Sequence, residues 1–226
     1  MEAFMRTKLM DRHMPDYTKG EEIFNMTSHI VGGAIGIAAL VLCIIISAIH
    51  RNGYGLAGSI VFGISMILLY TMSSIYHGLR EGRAKRVLQV LDHCTIYVLI
   101  AGTYTPVLLS AMRPIEPVSS WVLLGIMWGL SALAITFTAI DLHKFRIFSM
   151  ICYLGMGWAA MFKIGLLFEA VGLGGFLLIL AGGVSYTIGA VLYGLGKKKR
   201  YMHSIFHLFV VFGSILHTLA ILIFVL

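Results

Sequence analysis

The chain has 226 residues, of which 59% are hydrophobic and only 12% charged, a balance that excludes an ordinary soluble fold and places it among integral membrane proteins. Its formal charge of +7 would suit nucleic acid only if the basic residues shared one surface. They alternate between loops instead, so no nucleic-acid partner is expected and the charge reads as membrane topology.

Apolar windows of the ~20 residues that a membrane crossing requires fall at about 28–49, 56–76, 88–109, 118–139, 147–167, 173–194 and 204–226. The expected fold is all-α: one seven-helix transmembrane bundle over residues 25–226, behind a cytoplasmic tail of residues 1–24. The alternating polar positions of a β-barrel are missing. Arg6, Lys8, Arg12 and Lys19 precede the first window; Arg80, Arg83, Lys85 and Arg86 join the second and third; Lys144 and Arg146 join the fourth and fifth; Lys197, Lys198, Lys199 and Arg200 join the last two. Only Arg51, Arg113 and Lys163 fall on the other side, so the positive-inside rule puts the N-terminus in the cytoplasm and the C-terminus outside. The first apolar run is too long and too late for a cleaved signal peptide. The setting this implies is a membrane, crossed several times.

In chain order, the tail is charged, with Glu2, Asp11, Asp16, Glu21 and Glu22 among its basic residues, and is expected to be mobile and without chemistry. Helix 1 opens N-M-T-S-H, where Ser28 caps or bonds locally and His29 sits at the cytoplasmic end. His29 is read as a residue behind a metal site or at the interface, with ligation and a plain surface position as alternatives. Gly32 with Gly36, Gly125 with Gly129 and Gly155 with Ala159 have the small-residue spacing of close helix contacts and would permit a homodimer. Cys43, Cys94 and Cys152 lie in apolar windows without paired spacing, which argues for packing or lipid-facing roles over disulfides or thiolate ligation.

Helix 2 ends T-M-S-S-I-Y-H-G, so Ser73 and His77 share a face at its cytoplasmic end. Helix 3 returns through V-L-D-H-C-T-I-Y, placing Asp92 and His93 near the same surface. A carboxylate at the depth of Asp92 is costly and reads as functional. His93 follows the face of Tyr97 and Tyr104, where it either joins an interhelical hydrogen-bond ladder or ligates a metal. Thr103 returns to the Asp92 face and could line a cavity, and Pro106 is expected to bend or end the helix. Lys163 can snorkel to the outer surface, and Trp121, Trp128 and Trp158 suit anchoring or packing. In helix 7, His203 and His207 lie one turn apart on one face, about 6 Å along the axis. Ser214 and His217 follow deeper, lining a cavity or bonding between helices.

Because helix 2 ends where helices 3 and 7 begin, His77, His203, His207, Asp92 and Ser73 can share one level. Neutral imidazoles with an open fourth position suit a catalytic zinc ion, Zn²⁺, better than a closed structural one; a lone H-x-x-x-H in a membrane helix otherwise bonds within its bundle.

These residues resemble the hemolysin III family, the bacterial branch of the progestin and adiponectin receptor superfamily, more distantly related to alkaline ceramidases. The resemblance runs from Glu21 onward. It is carried by N-M-T-S-H at 25–29, S-S-I-Y-H-G at 73–78, L-D-H-C-T-I-Y-V-L-I-A-G-T-Y-T-P at 91–106, L-G-M-G-W at 154–158 and H-S-I-F-H at 203–207 with His217 trailing. It implies seven helices with an intramembrane zinc ion near the cytoplasmic face, ligated by His77, His203 and His207. Asp92 would hold a water there, with Ser73 beside it. Three functions follow as expectations. The first is a zinc-dependent hydrolase of a lipid amide or ester, ceramidase-like, in membrane lipid homeostasis, with a membrane lipid or fatty-acyl group as partner. The second is a zinc-stabilised sensor of membrane state without turnover. The third is a pore-forming cytolysin, although no helix carries a continuous polar stripe.

Overall fold

A computed structural model describes residues 7–12, 14–196 and 199–226. Glu2, Arg6, Lys197 and Lys198, which entered the reading of tail and topology, lie outside the described residues. Every regular element among the described residues is helical. The helices are α1 (Lys19–Ile49), α2 (Gly53–Gly78), α3 (Arg83–Pro106), α4 (Pro117–Ile140), α5 (Arg146–Gly157), α6 (Ile164–Leu195) and α7 (Met202–Ala220). Six stretches are long and apolar enough to cross a membrane, because α5, a 3₁₀ turn at Ala159–Lys163 and α6 run together as the 50-residue stretch Arg146–Leu195. Within that stretch Gly172 takes a left-handed φ of 63°, a conformation glycine adopts at no steric cost. Across it, Trp158 Nε1 donates to Thr187 Oγ1 at 3.0 Å.

Local chemistry sets the helix ends. Thr18 and Glu21 form a reciprocal capping box, so α1 begins at Lys19, about two turns before the apolar window. Asn52 caps α2 by accepting from the Gly55 N–H at 2.8 Å, and Pro117 occupies the first turn of α4. Pro106 ends the α-helical register of α3, and the chain continues without a break as a π-helical segment, Val107–Met112. Proline has no N–H to donate and its ring blocks the preceding turn, and the wider register absorbs the mismatch. The same residue packs on Gly58, where a Cβ would come within 2.6 Å of Pro106 Cα.

Small residues let the inner helices meet. A Cβ at Gly32 would lie 2.6 Å from the Tyr70 ring, one at Gly36 3.2 Å from Met66, and one at Gly102 2.3 Å from Ser65 Oγ. The other small-residue pairs behave differently from expectation: at Gly125, Gly129 and Gly155 an added Cβ would meet nothing within 4 Å. Those faces point away from the rest of the chain, since spacing creates a groove but does not supply a neighbour. The three cysteines are free, with Cys43 and Cys94 buried, and serve as packing residues.

The described part of the tail is not a featureless chain. Thr7 N–H donates to Asp141 Oδ2 at 3.0 Å, and Arg12, itself buried, donates from Nη2 to the Ile140 carbonyl at 2.8 Å. Arg86 Nη1 in turn donates to the Arg12 carbonyl. Residues 7–12 and 14–18 therefore form a strap fastened to α3 and to the turn after α4.

Candidate metal centre

Glu21 sets the level at which the histidines meet. One carboxylate oxygen serves the Thr18 cap, while Oε1 accepts the Tyr201 N–H at 2.6 Å. The start of α7 is thereby tied to the start of α1. Tyr201 itself is left-handed, with φ 61°, and the helix that follows presents His203 and His207 on one face.

His77, at the end of α2, joins them. One ring nitrogen from each of His77, His203 and His207 lies within 4.8 Å of the other two, and all three residues are buried. The Nε2 atoms of His203 and His207 are 3.0 Å apart. His77 Nδ1–H donates to Glu22 Oε2 at 2.5 Å, and Lys85 Nζ holds the other carboxylate oxygen at 2.6 Å. With its proton on Nδ1, His77 turns the Nε2 lone pair inward, and this buried atom has no hydrogen-bond partner. A carboxylate behind an imidazole is the arrangement that orients a metal-ligating histidine. The residues present thus fit a metal ion with a preference for nitrogen donors.

The remaining predicted residues are distributed around this cluster. His29 stacks on His207 with ring centroids 3.8 Å apart, and both its nitrogens are buried without partners. Ser73 Oγ is likewise buried and unpartnered. Asp92 Oδ2 lies 3.9 Å from His93 Nδ1, too far for a hydrogen bond. His93 bridges helices: Nδ1–H donates to the Gln89 carbonyl at 2.8 Å, and Nε2 accepts from the Tyr193 hydroxyl at 3.2 Å. Ser214 is buried between two tyrosine hydroxyls, Tyr70 at 2.7 Å and Tyr186 at 2.8 Å.

Ser73, Asp92, His203 and His207 face one cavity of about 150 Å³, measured as room for the centres of water-sized spheres. Its other walls are largely apolar, from Leu69, Ile96 and Leu99 to Trp158 and Val210, with Thr103 and His217 at its deeper end. His77 stands behind the two α7 histidines.

Tyr17, Glu22, Asn25 and Lys85 were not singled out in the sequence. Tyr17, carried by the strap, stacks on His203 with centroids 4.8 Å apart and planes inclined by 23°. Burial, followed by the nearby Tyr76, Tyr193 and Asp92, raises its phenol pKa far above the ordinary value, so it stays neutral. Asn25 Nδ2 lies 3.5 Å from His77 Nδ1. The capping box at Thr18 and Glu21 was the available signal. Starting α1 there puts Glu22, Asn25 and His29 on one face, at helical spacing.

A helical, multi-pass membrane protein with three buried histidines beside an apolar cavity is the class that this fold and centre define. The sequence model of the haemolysin-III-related family matches residues 17–218. The chain is 38% identical to Hemolysin-3 of Bacillus cereus over 220 residues, 97% of this chain and 98% of that protein. It is 37% identical to the Hemolysin-3 homolog of Bacillus subtilis (strain 168) over 198 residues, 88% of this chain and 91% of that one. The human Monocyte to macrophage differentiation factor is more distant, at 24% over 169 residues, 71% of this chain and 67% of that protein. The chain belongs to the haemolysin-III-related family, within the progestin and adiponectin receptor superfamily, and is a multi-pass protein of the cell membrane.

Proposed function

We propose that this protein is a zinc-dependent hydrolase of a lipid amide or ester, working from within the membrane in lipid homeostasis. The observation that carries the reading is the opening of Asp92, Ser73, His203 and His207 onto one apolar cavity, with His77 completing the nitrogen cluster behind them. Residues 25–226 form the transmembrane domain and cross seven times, N-terminus in the cytoplasm. A straight 50-residue helix would be ~75 Å long against a ~30 Å hydrocarbon core. The Trp158–Thr187 bond, nearly symmetric about Gly172, supports two antiparallel crossings there.

His77, His203 and His207 would hold the metal. Zinc at such a site supplies Lewis acidity, polarising an acyl carbonyl and acidifying water. Asp92 takes the proton of the attacking water and passes it to the leaving amine or alcohol. Ser73 donates its hydroxyl hydrogen to the carbonyl oxygen as negative charge develops there. Glu22 keeps the His77 proton on Nδ1, and the apolar walls exclude bulk water and hold the acyl chain.

The test uses zinc-loaded protein in nanodiscs and a panel of acyl-labelled ceramides, phospholipids and lysolipids. Wild type should release free fatty acid; Asp92→Asn should keep its zinc and lose at least ~100-fold in rate. No release from any lipid by metal-loaded wild type would sink the hydrolase reading.

A second reading is favoured by the origin of the cluster, whose imidazoles come from α2 and α7 while Glu22 comes from α1. A metal there ties three helices, as a sensor of membrane state without turnover would require. Zinc-dependent stability together with an absence of product would select it. The names of the two Bacillus relatives raise a third reading, a cytolysin; dye release from liposomes tests it, and intact vesicles would end it.

A further inference from the structure

The cavity at the histidines does not stop at α3 and α7. A second cavity, of about 50 Å³ by the same measure and walled by Leu167, Ile179, Leu180 and Ile221, lies beyond it. Thr103, Tyr104, Gly157, Trp158, Gly183 and His217 line both. The two spaces adjoin through these shared walls, one on the side of Asp92 and the other on the side of Ile221. His217 stands at the junction.

Nearly every polar side chain at that junction has a partner within the protein. Thr103 Oγ1 donates to the Leu99 carbonyl at 2.8 Å, Tyr104 OH to the Gly157 carbonyl at 3.1 Å, and Thr187 Oγ1 to the Gly183 carbonyl at 2.8 Å. Trp158 Nε1 donates to Thr187. His217 is the exception among these side chains: its ring meets the Tyr186 ring, with centroids 5.3 Å apart and planes inclined by 75°, and the backbone at Gly182. There a Cβ would come within 2.2 Å of Nδ1 and 2.4 Å of Cε1. Nδ1 is buried and unpartnered in this dent, so of the two ring nitrogens Nε2 is the one left for a molecule in the cavities that the ring lines. A polar ring in apolar surroundings is costly unless something bonds to it. Gly182 makes space for the ring by lacking a side chain. Leucine or phenylalanine would fill the same volume without the penalty.

We propose that His217 reads an oxygen on the acyl chain of the ligand, so that the preferred chain carries a hydroxyl group about a dozen carbons from its carbonyl. His207 and His217 are ten residues apart on α7, which is ~15 Å along the axis; an extended chain with its carbonyl at Asp92 and Ser73 reaches His217 at roughly that carbon. A neutral imidazole can donate to or accept from a hydroxyl, and a methylene can do neither. Sites built to bond a hydroxyl discriminate strongly against analogues that lack it, because the protein group is then left unpaired. The inference rests on the reading of this cavity as an acyl site, but not on turnover.

The experiment measures binding of stearic, 3-hydroxystearic and 12-hydroxystearic acids to zinc-loaded protein in nanodiscs, by displacement of a fluorescent fatty acid. The expected result is that 12-hydroxystearic acid binds at least tenfold more tightly than the other two. His217→Leu should lower it to the level of stearic acid, with zinc content as the check on folding. His217→Gln, which keeps a donor and an acceptor, should retain part of the preference. Gly182→Ala should reduce the preference by displacing the ring. Equal binding of the three acids by wild type, or a preference that survives His217→Leu, overturns the proposal while leaving the hydrolase reading intact. Conversely, absence of acyl release with the preference present removes the hydrolase reading alone. Failure of all three acids to bind removes the acyl cavity itself, and this inference with it.

Discussion

At the scale of single residues, the centre depends on a carboxylate that is not itself among the three imidazoles. Glu22 receives the His77 proton on one oxygen and the Lys85 ammonium on the other. Lys85 also donates to the Leu79 carbonyl at 2.9 Å, so the carboxylate is held from the side facing the α2–α3 turn. Removing it frees His77 to rotate or change tautomer. Glu22→Gln should weaken zinc binding by about 10- to 100-fold, in the range found for groups supporting a metal-ligating histidine. Competition with a graded series of chelators would measure this; Glu22→Gln binding zinc as tightly as wild type would remove Glu22 from the centre. Ser73 and His29, both buried with unpartnered polar atoms, contrast with Ser214. Its hydroxyl is occupied by Tyr70 and Tyr186 and is unavailable to a ligand.

At the scale of elements, two contacts govern how the helices and the strap are arranged. Gly32 admits the Tyr70 ring into the α1–α2 contact. Gly32→Ala forces a side chain into that ring and should cost about 1–3 kcal/mol. Gly125→Ala, which meets nothing within the chain, should leave the thermal midpoint almost unchanged. Comparing the two variants by thermal melting in the same detergent checks the packing. The strap depends on Asp141. Burial pushes its carboxyl up, but the N–H groups of Lys144 and Thr7 and the Arg12 guanidinium outweigh this and hold its pKa at about 2, below the ordinary 3.8. A depressed folded value means that the stabilisation is complete above the ordinary carboxylate range and disappears as pH falls from near 4 toward 2. Protection of the Thr7 amide, its exchange rate relative to an unstructured peptide at the same pH, should therefore fall across that interval, and Asp141→Asn should exchange faster at neutral pH. An Asp141→Asn strap as protected as wild type at pH 7 would count against this anchoring.

At the scale of the whole molecule, the histidine cluster joins distant parts of the chain. Its histidines come from the end of α2 and the start of α7, supported by Glu22 from α1 and covered by Tyr17 from the strap. A ligand held by the folded protein alone, at 100 to 1,000 times its dissociation constant, adds about 3–4 kcal/mol. Chelation should therefore lower the thermal midpoint by roughly 10 °C, and zinc should restore it. The strap also covers this cluster: Tyr17 stacks on His203 from the side of the N-terminus.

Much of this molecule was legible one residue at a time. The apolar windows marked a helical, multi-pass membrane chain because a hydrocarbon environment demands long unbroken runs, although the windows at 147–167 and 173–194 fall in one continuous stretch. The pairs Ser73–His77 and His203–His207 were readable because a helix brings residues four apart to the same face. The cost of burying Asp92 marked it in the same way. What could not be read were relations between segments far apart in the chain. Thr7 with Asp141, Glu22 with His77 and Lys85, and Tyr17 with His203 are joined by contacts that leave no period in the sequence. Nor did glycine spacing distinguish Gly32, which receives a ring, from Gly125, which receives nothing: a helix specifies the shape of its own surface, and the folding of the whole chain determines what is laid against it.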